Sequence, residues 1–265
     1  KNLVIVQPTY ALFEHHCRSY GIPFTPWYLN ENLAFDFDAL PVLDAQSVLV
    51  ITSPNNPVGN TLDIVELENL LHRFPDTLIV LDNVYHEFSD TDFAPLIQRH
   101  ENLLILRSFS KAFPVAGLRL GYVCAAPALA SMVKRLSLNY MLNHFTQSLA
   151  REVLFTPGCL QDSRQRVRSV ILQREQLLRS ISDACHSEDL EVYPSGGNFL
   201  LIKVKHAVRH SELLSAFQHA GIRVLDASGF PMLQQCIRIS VGNYEENMAV
   251  LEILLSLRPG KWGGG

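Results

Sequence analysis

The sequence predicts an α/β fold: a mostly parallel central sheet with helices on both faces, followed by a smaller α+β C-terminal domain. Three observations predict it. Short apolar runs without polar alternation recur along the first half, as in strands covered on both faces. Stretches with helical spacing separate them, which calls for crossovers between parallel strands. Beyond residue 126 the pattern changes to long helices and then to a few strands among helices.

The runs come in order as "LVIV" (3–6), "SVLVITS" (47–53), "LIVLD" (78–82), "LLILRS" (103–108) and "LGYVCA" (120–125). Each is rich in Val, Leu and Ile and too short for a buried helix. Between the second and third, residues 63–74 carry Leu and Val at helical spacing with charges between them. Residues 128–155 and 160–186 read as long helices, the second rich in Arg. "LEVYPSGGNFLLIKV" (190–204), a helix at 211–220, "IRVLDA" (222–227), "CIRISVG" (236–242) and a helix at 244–257 complete the smaller unit. "TPGC" breaks the helical pattern, so the expected division is 1–157 for the large domain and 158–265 for the small one, which ends in the Gly-rich tail "GKWGGG".

Bulk properties exclude several classes. The 265 residues are 48% hydrophobic and 18% charged with a net charge of -4, which gives no basic footprint for nucleic acid or an anionic membrane. No apolar run approaches the ~20 residues of a membrane span. Cys17, Cys124, Cys159, Cys185 and Cys236 are odd in number and widely spread, without a C-x-x-C pair. They read as reduced thiols of a cytoplasmic protein, with neither a disulfide framework nor a zinc site.

In open parallel sheets ligands sit at the carboxyl ends of strands. Asp82 ends "LIVLD", Ser108 ends "LLILRS", and "SPNNPVG" (53–59) follows "SVLVIT". The loop is either a plain strand-to-helix connection or a preset binding turn. Asp82 either caps a helix or serves a buried cation, and Tyr85 is close enough in sequence to share its pocket. Lys111 stands apart from the other five lysines, at Lys1, Lys134, Lys203, Lys205 and Lys261, because it lies in the small and apolar stretch "SFSKAFPVAGL". A desolvated lysine has a depressed pKa and becomes an amine nucleophile.

From Gln7 to Gly242 the chain resembles the fold-type-I pyridoxal-phosphate aminotransferases, and among them most closely the histidinol-phosphate aminotransferase branch. The matching stretches are "PTY" (8–10), "SPNNPVG" (53–59), "LDNVYHEF" (81–88), "RSFSKAFPVAGLRLGY" (107–122), "PSGGNFLL" (194–201) and "CIRISVG" (236–242), in the family's order. The Ser-x-Ser-Lys with an arginine eight residues on is the most specific of them.

The resemblance implies a cofactor, pyridoxal 5'-phosphate, and a role for each matched residue. Lys111 would form the Schiff base and shuttle the proton between the substrate Cα and the cofactor. Asp82 would keep the pyridine nitrogen protonated, and Tyr85 and Asn56 would bond the ring oxygen. Ser108, Ser110 and Arg119 would hold the phosphate, the arginine as a bidentate fork. Tyr10 would stack on the ring. Arg238 would clamp the substrate carboxylate, with Asn198 beside it. The family often has a cis Asn–Pro bond in this loop, which implies one at Asn56–Pro57. It also implies a homodimer and small-molecule substrates, an L-amino acid and a 2-oxo acid.

Some features depart from the pattern. The family's Gly-rich turn before "PTY" has no counterpart in these residues; if they were the whole protein, the phosphate would rest on Ser108, Ser110 and Arg119 alone. Asp82-Asn83-Val84-Tyr85 replaces the usual Asp-Glu-Ala-Tyr. Leu225 stands where the branch usually has an arginine associated with the substrate's distal phosphate, which points toward an apolar or aromatic amino acid. Two other readings share the resemblance: an enzyme like threonine-phosphate decarboxylase, and a truncated, non-catalytic relative.

Overall fold

The computed structural model describes residues 2–137, 141–184 and 189–256. The Gly-rich tail and Cys185 lie outside them. The first sheet contains β1 (Leu3–Gln7), β2 (Thr25–Tyr28), β3 (Val48–Thr52), β4 (Leu78–Asp82), β5 (Leu103–Ser108) and β6 (Gly121–Ala125) in the order β2-β1-β3-β4-β5-β6. All neighbours run parallel except β5 and β6. The second sheet is antiparallel, in the order β7-β8-β10-β9, from β7 (Leu190–Tyr193), β8 (Phe199–Val204), β9 (Leu225–Asp226) and β10 (Cys236–Ser240).

Strand parity explains the unalternated runs. Successive side chains of a strand point to opposite faces. Val4, Val6, Leu49, Ile51, Ile79 and Leu81 pack on one face with Leu67, Leu70 and Leu71 of α2 (Ile64–Arg73). Ile5 and Val50 pack on the other with Cys17 of α1 (Leu12–Ser19). Helices therefore cover both faces, and every position of a central strand must be apolar. Asp63 starts α2, its Oδ1 accepting the Val65 N–H at 2.7 Å.

Four expectations need correction. β2 went unforeseen because "TPWY" is a short edge strand carrying Pro26, a residue that weakens any strand signal. β6 runs antiparallel at the opposite edge, and its partly exposed residues show that it is not covered on both faces. The helical stretch 128–155 is two helices, α3 (Pro127–Leu136) and α4 (His144–Phe155). Asn143 begins the second by accepting the Thr146 N–H at 2.8 Å. Only Leu225–Asp226 of "IRVLDA" is strand.

The 26-residue α5 (Cys159–Ala184) follows Gly158, whose φ is +88°. It reaches both sheets. Val167 packs with Tyr85, Ala112 and Phe199, while Leu177 and Ile181 join the core of the second sheet with α6 (Ala207–His219) and α7 (Tyr244–Ser256). Buried Arg174 ties the parts together, Nη1 donating to the carbonyls of Phe88 at 3.0 Å and Gly197 at 2.8 Å. Among the described residues no helix is long and apolar enough to cross a membrane.

Candidate active site

The carboxyl ends of β3, β4 and β5 enclose a cavity of about 230 Å³. It is lined by Tyr10, Asn56, Asp82, Tyr85, Ser108, Ser110, Lys111 and Arg119, together with Thr52 and Val84. Eight residues expected at a cofactor thus converge from four separate stretches. The loop after β3 is preset. Asn55 donates Nδ2 to the Pro8 carbonyl at 3.0 Å and accepts the Val58 N–H at 3.2 Å. The Asn56–Pro57 bond is cis, as the resemblance implied. Gly59 has φ +96°, and a Cβ there would lie 2.5 Å from Ser195 Oγ. Its carbonyl accepts the Gly196 N–H at 2.7 Å, which brings the second sheet's "PSGGNF" loop against the first.

Asp82 is 5% exposed at the cavity floor. Its Oδ1 accepts the Val84 N–H at 3.3 Å, a local turn rather than a helix cap. Burial pushes its carboxyl up to about 6, opposed by that backbone bond and by Lys111. Tyr85 is 3% exposed. Burial raises its phenol, against the pull of Arg238.

Lys111 is more open than the apolar sequence around it suggests: the residue is exposed at the cavity rim. Its sequence neighbours Phe109 and Phe113 instead pack on each other as tilted rings with centroids 5.0 Å apart. The amine is still partly desolvated, and this pushes its pKa down. Tyr10 and Asp82 oppose the shift, and Arg238 and Arg119 add to it. Its Nζ lies 5.2 Å from the centroid of the Tyr85 ring. Ser108 Oγ accepts the Ser110 N–H at 3.0 Å and fixes the turn that carries both hydroxyls. Arg119 sits in the left-handed region with φ +52°, its Nη1 donating to the Ala116 carbonyl at 3.3 Å. A non-glycine residue held there is strained, and such strain gathers at functional sites.

Arg238 and Asn198 do not line the cavity. Arg238 projects from β10 and donates from Nη1 to Asn56 Oδ1. Its guanidinium carbon lies 4.9 Å from the Phe199 ring centroid, and its Nε is buried with no partner among the described residues. It stands beside the cavity with a donor to spare. The backbone carbonyl of Asn198 accepts the Val241 N–H at 2.9 Å, a link within the second sheet. Thr52 and Val84 escaped the sequence reading. Thr52 is the last residue of β3, level with Asp82 in the register, and the strand-end rule could have found it. Nothing singles out Val84.

A mostly parallel sheet that gathers a buried acid, an amine and an arginine at its carboxyl edge defines a fold-type-I pyridoxal-phosphate enzyme. The family model of aminotransferase class I and II matches residues 1–254. The chain belongs to that family, on its histidinol-phosphate aminotransferase branch. It is 31% identical to the histidinol-phosphate aminotransferase of Ruminiclostridium cellulolyticum over 94% of this chain and 69% of that protein. It is 33% identical to the enzyme of the same name from Thermococcus kodakarensis over 95% and 69%. The solved L-threonine-O-3-phosphate decarboxylase from Porphyromonas gingivalis is 26% identical, with a TM-score of 0.80 over 96% of this chain and 76% of that one.

The residues present fit the cofactor. The cavity offers a buried carboxyl for a pyridinium nitrogen, and an amine for a carbonyl carbon. Two serine hydroxyls and a guanidinium are there for a phosphate.

Proposed function

We propose that the chain transfers an amino group between an L-amino acid and a 2-oxo acid at this cavity. The observation that carries the reading is that buried Asp82 and the amine of Lys111 share one cavity while Arg238 approaches from the second sheet. Bound there, pyridoxal phosphate supplies an electron sink for the carbanion generated at the substrate Cα.

The remaining work falls to side chains. Asp82 as a carboxylate holds a proton on the ring nitrogen. Lys111 Nζ would anchor the cofactor and would carry the proton taken from the substrate Cα. Partial desolvation lowers the pKa of the amine, a shift toward the neutral form that accepts a proton. Tyr85 and Asn56 would bond the ring oxygen, and Tyr10 would stack on the ring. Ser108, Ser110 and Arg119 grip the phosphate. Arg238 would receive the substrate carboxylate, to which its unpartnered Nε gives a second donor; Asn198, just before the strand paired with β10, would assist it. Leu225 pairs with Arg238 in the register of β9 and β10. An aliphatic residue there favours an apolar or aromatic side chain on the substrate.

Borohydride treatment of the cofactor-loaded protein, then peptide mapping, should place the reduced adduct on Lys111. An adduct elsewhere would refute the assignment. Product analysis separates the two reactions: oxo-acid consumption supports transamination, and carbon dioxide release without it supports the decarboxylase reading. We also propose a cytoplasmic homodimer, for which the four free cysteines among the described residues and the family are the support. Light scattering should return twice the chain mass, and a monomer at every concentration would exclude it.

A further inference from the structure

Glu68 and His72 stand four residues apart on α2, so both project from one stripe of the helix. His100 reaches the same point from the turn that precedes β5. Its N–H bonds the Leu96 carbonyl at 3.0 Å. Asn102 fastens this turn to the end of α2, its Nδ2 donating to the carbonyls of Phe74 at 3.0 Å and Thr77 at 3.1 Å. His100 is 7% exposed. Its Nε2 lies 3.5 Å from Glu68 Oε1, and its ring meets that of His72 edge to face with centroids 4.7 Å apart. One donor atom from each of the three residues falls within 4.8 Å of the others.

We propose that Glu68, His72 and His100 form a binding site for a divalent transition ion, zinc above others. Two imidazoles and one carboxylate, with a water in the fourth position, make a zinc donor set. Bonds of about 2.0–2.2 Å bring such donors closer together than they stand here, so one ligand must swing inward. Exposed His72 is free to do so, whereas His100 is buried and Glu68 half-buried. Arg99 is the competitor. Its Nη1 bonds the same Glu68 oxygen at 2.5 Å, and an incoming ion must displace it. The Arg99 side chain is 58% exposed, so it can swing into water at little cost.

The site lies on the opposite edge of the sheet from the cofactor cavity. Asp82 closes β4 at its carboxyl end, while His100 stands just before the start of the parallel neighbour β5. The ion would join α2 to the approach of β5, and its effect falls on stability rather than on turnover.

The test titrates zinc chloride into cofactor-loaded, chelator-stripped protein by calorimetry and follows thermal unfolding in parallel. One ion per chain should bind with micromolar affinity and raise Tm. His72→Ala should weaken binding by at least about tenfold with the zinc-free Tm unchanged. Arg99→Ala should tighten it. Zinc affinity equal in the parent, His72→Ala and Glu68→Gln would place the ion elsewhere and overturn the proposal. No binding at millimolar zinc would overturn it as well.

Discussion

Lys111→Ala abolishes measurable turnover while leaving the fold intact. The side chain stands at the cavity rim, and its contact over the Tyr85 ring contributes at most about 1 kcal/mol at such exposure. Its truncation should therefore move Tm little. Its chemistry has no substitute nearby: the other basic side chains around the cavity are the guanidiniums of Arg119 and Arg238, which offer hydrogen-bond donors and no acceptor. Loss of the proton carrier alone removes about 10²–10⁴-fold of the rate, and loss of the covalent anchor adds to this. Oxo-acid formation in a coupled assay, read beside a melting curve, checks both halves. Full activity in the variant would end the assignment of Lys111.

Asp82→Asn should do two opposite things. Activity falls by about 10²–10³-fold, since an amide cannot supply the charge that keeps a ring nitrogen protonated. Stability of the cofactor-free protein rises. The folded carboxyl titrates near 6 and the unfolded one at 3.8, so the folded state binds the proton more tightly. Below the unfolded value both states are protonated and the group costs nothing. As pH rises through the window between the two values, the unfolded carboxyl ionises while the buried one keeps its proton, and stability is lost until the folded group ionises too and the penalty levels off. At pH 7.5 that penalty is about 3 kcal/mol, which the amide removes while its oxygen still accepts the Val84 N–H. Thermal unfolding of parent and variant, without cofactor, should show the variant ahead at pH 7.5 and level with it at pH 3.5. A variant less stable than the parent at pH 7.5 would contradict the charge argument.

The central strands were legible because burial on both faces writes an unbroken apolar run, as in "LVIV" and "LIVLD". Their edges were not. Pro26 masks β2, and no residue pattern states whether β6 runs up or down. The cavity was legible because its polar residues stand at strand ends, where a parallel sheet leaves room. The openness of Lys111 was hidden, since its apolar sequence neighbours are not its spatial ones. Arg238 could be named from its motif, but its bond to Asn56 depends on how two sheets meet. Glu68, His72 and His100 were invisible for the same reason: 28 residues separate His100 from His72, and tertiary contacts such as the Asn102 clasp bring them together.

The bond between Arg238 and Asn56 makes recognition an exchange. In the free protein the guanidinium that is to hold a substrate is already engaged with the loop of the other sheet. On the proposed assignment a carboxylate takes its place and links the same two layers through itself. A neutral amine breaks the internal bond and offers no charge in return. Preference for acids then needs no wall against other molecules. It follows from the contact that every visitor must replace, and it tightens the two layers only around a guest that replaces it well.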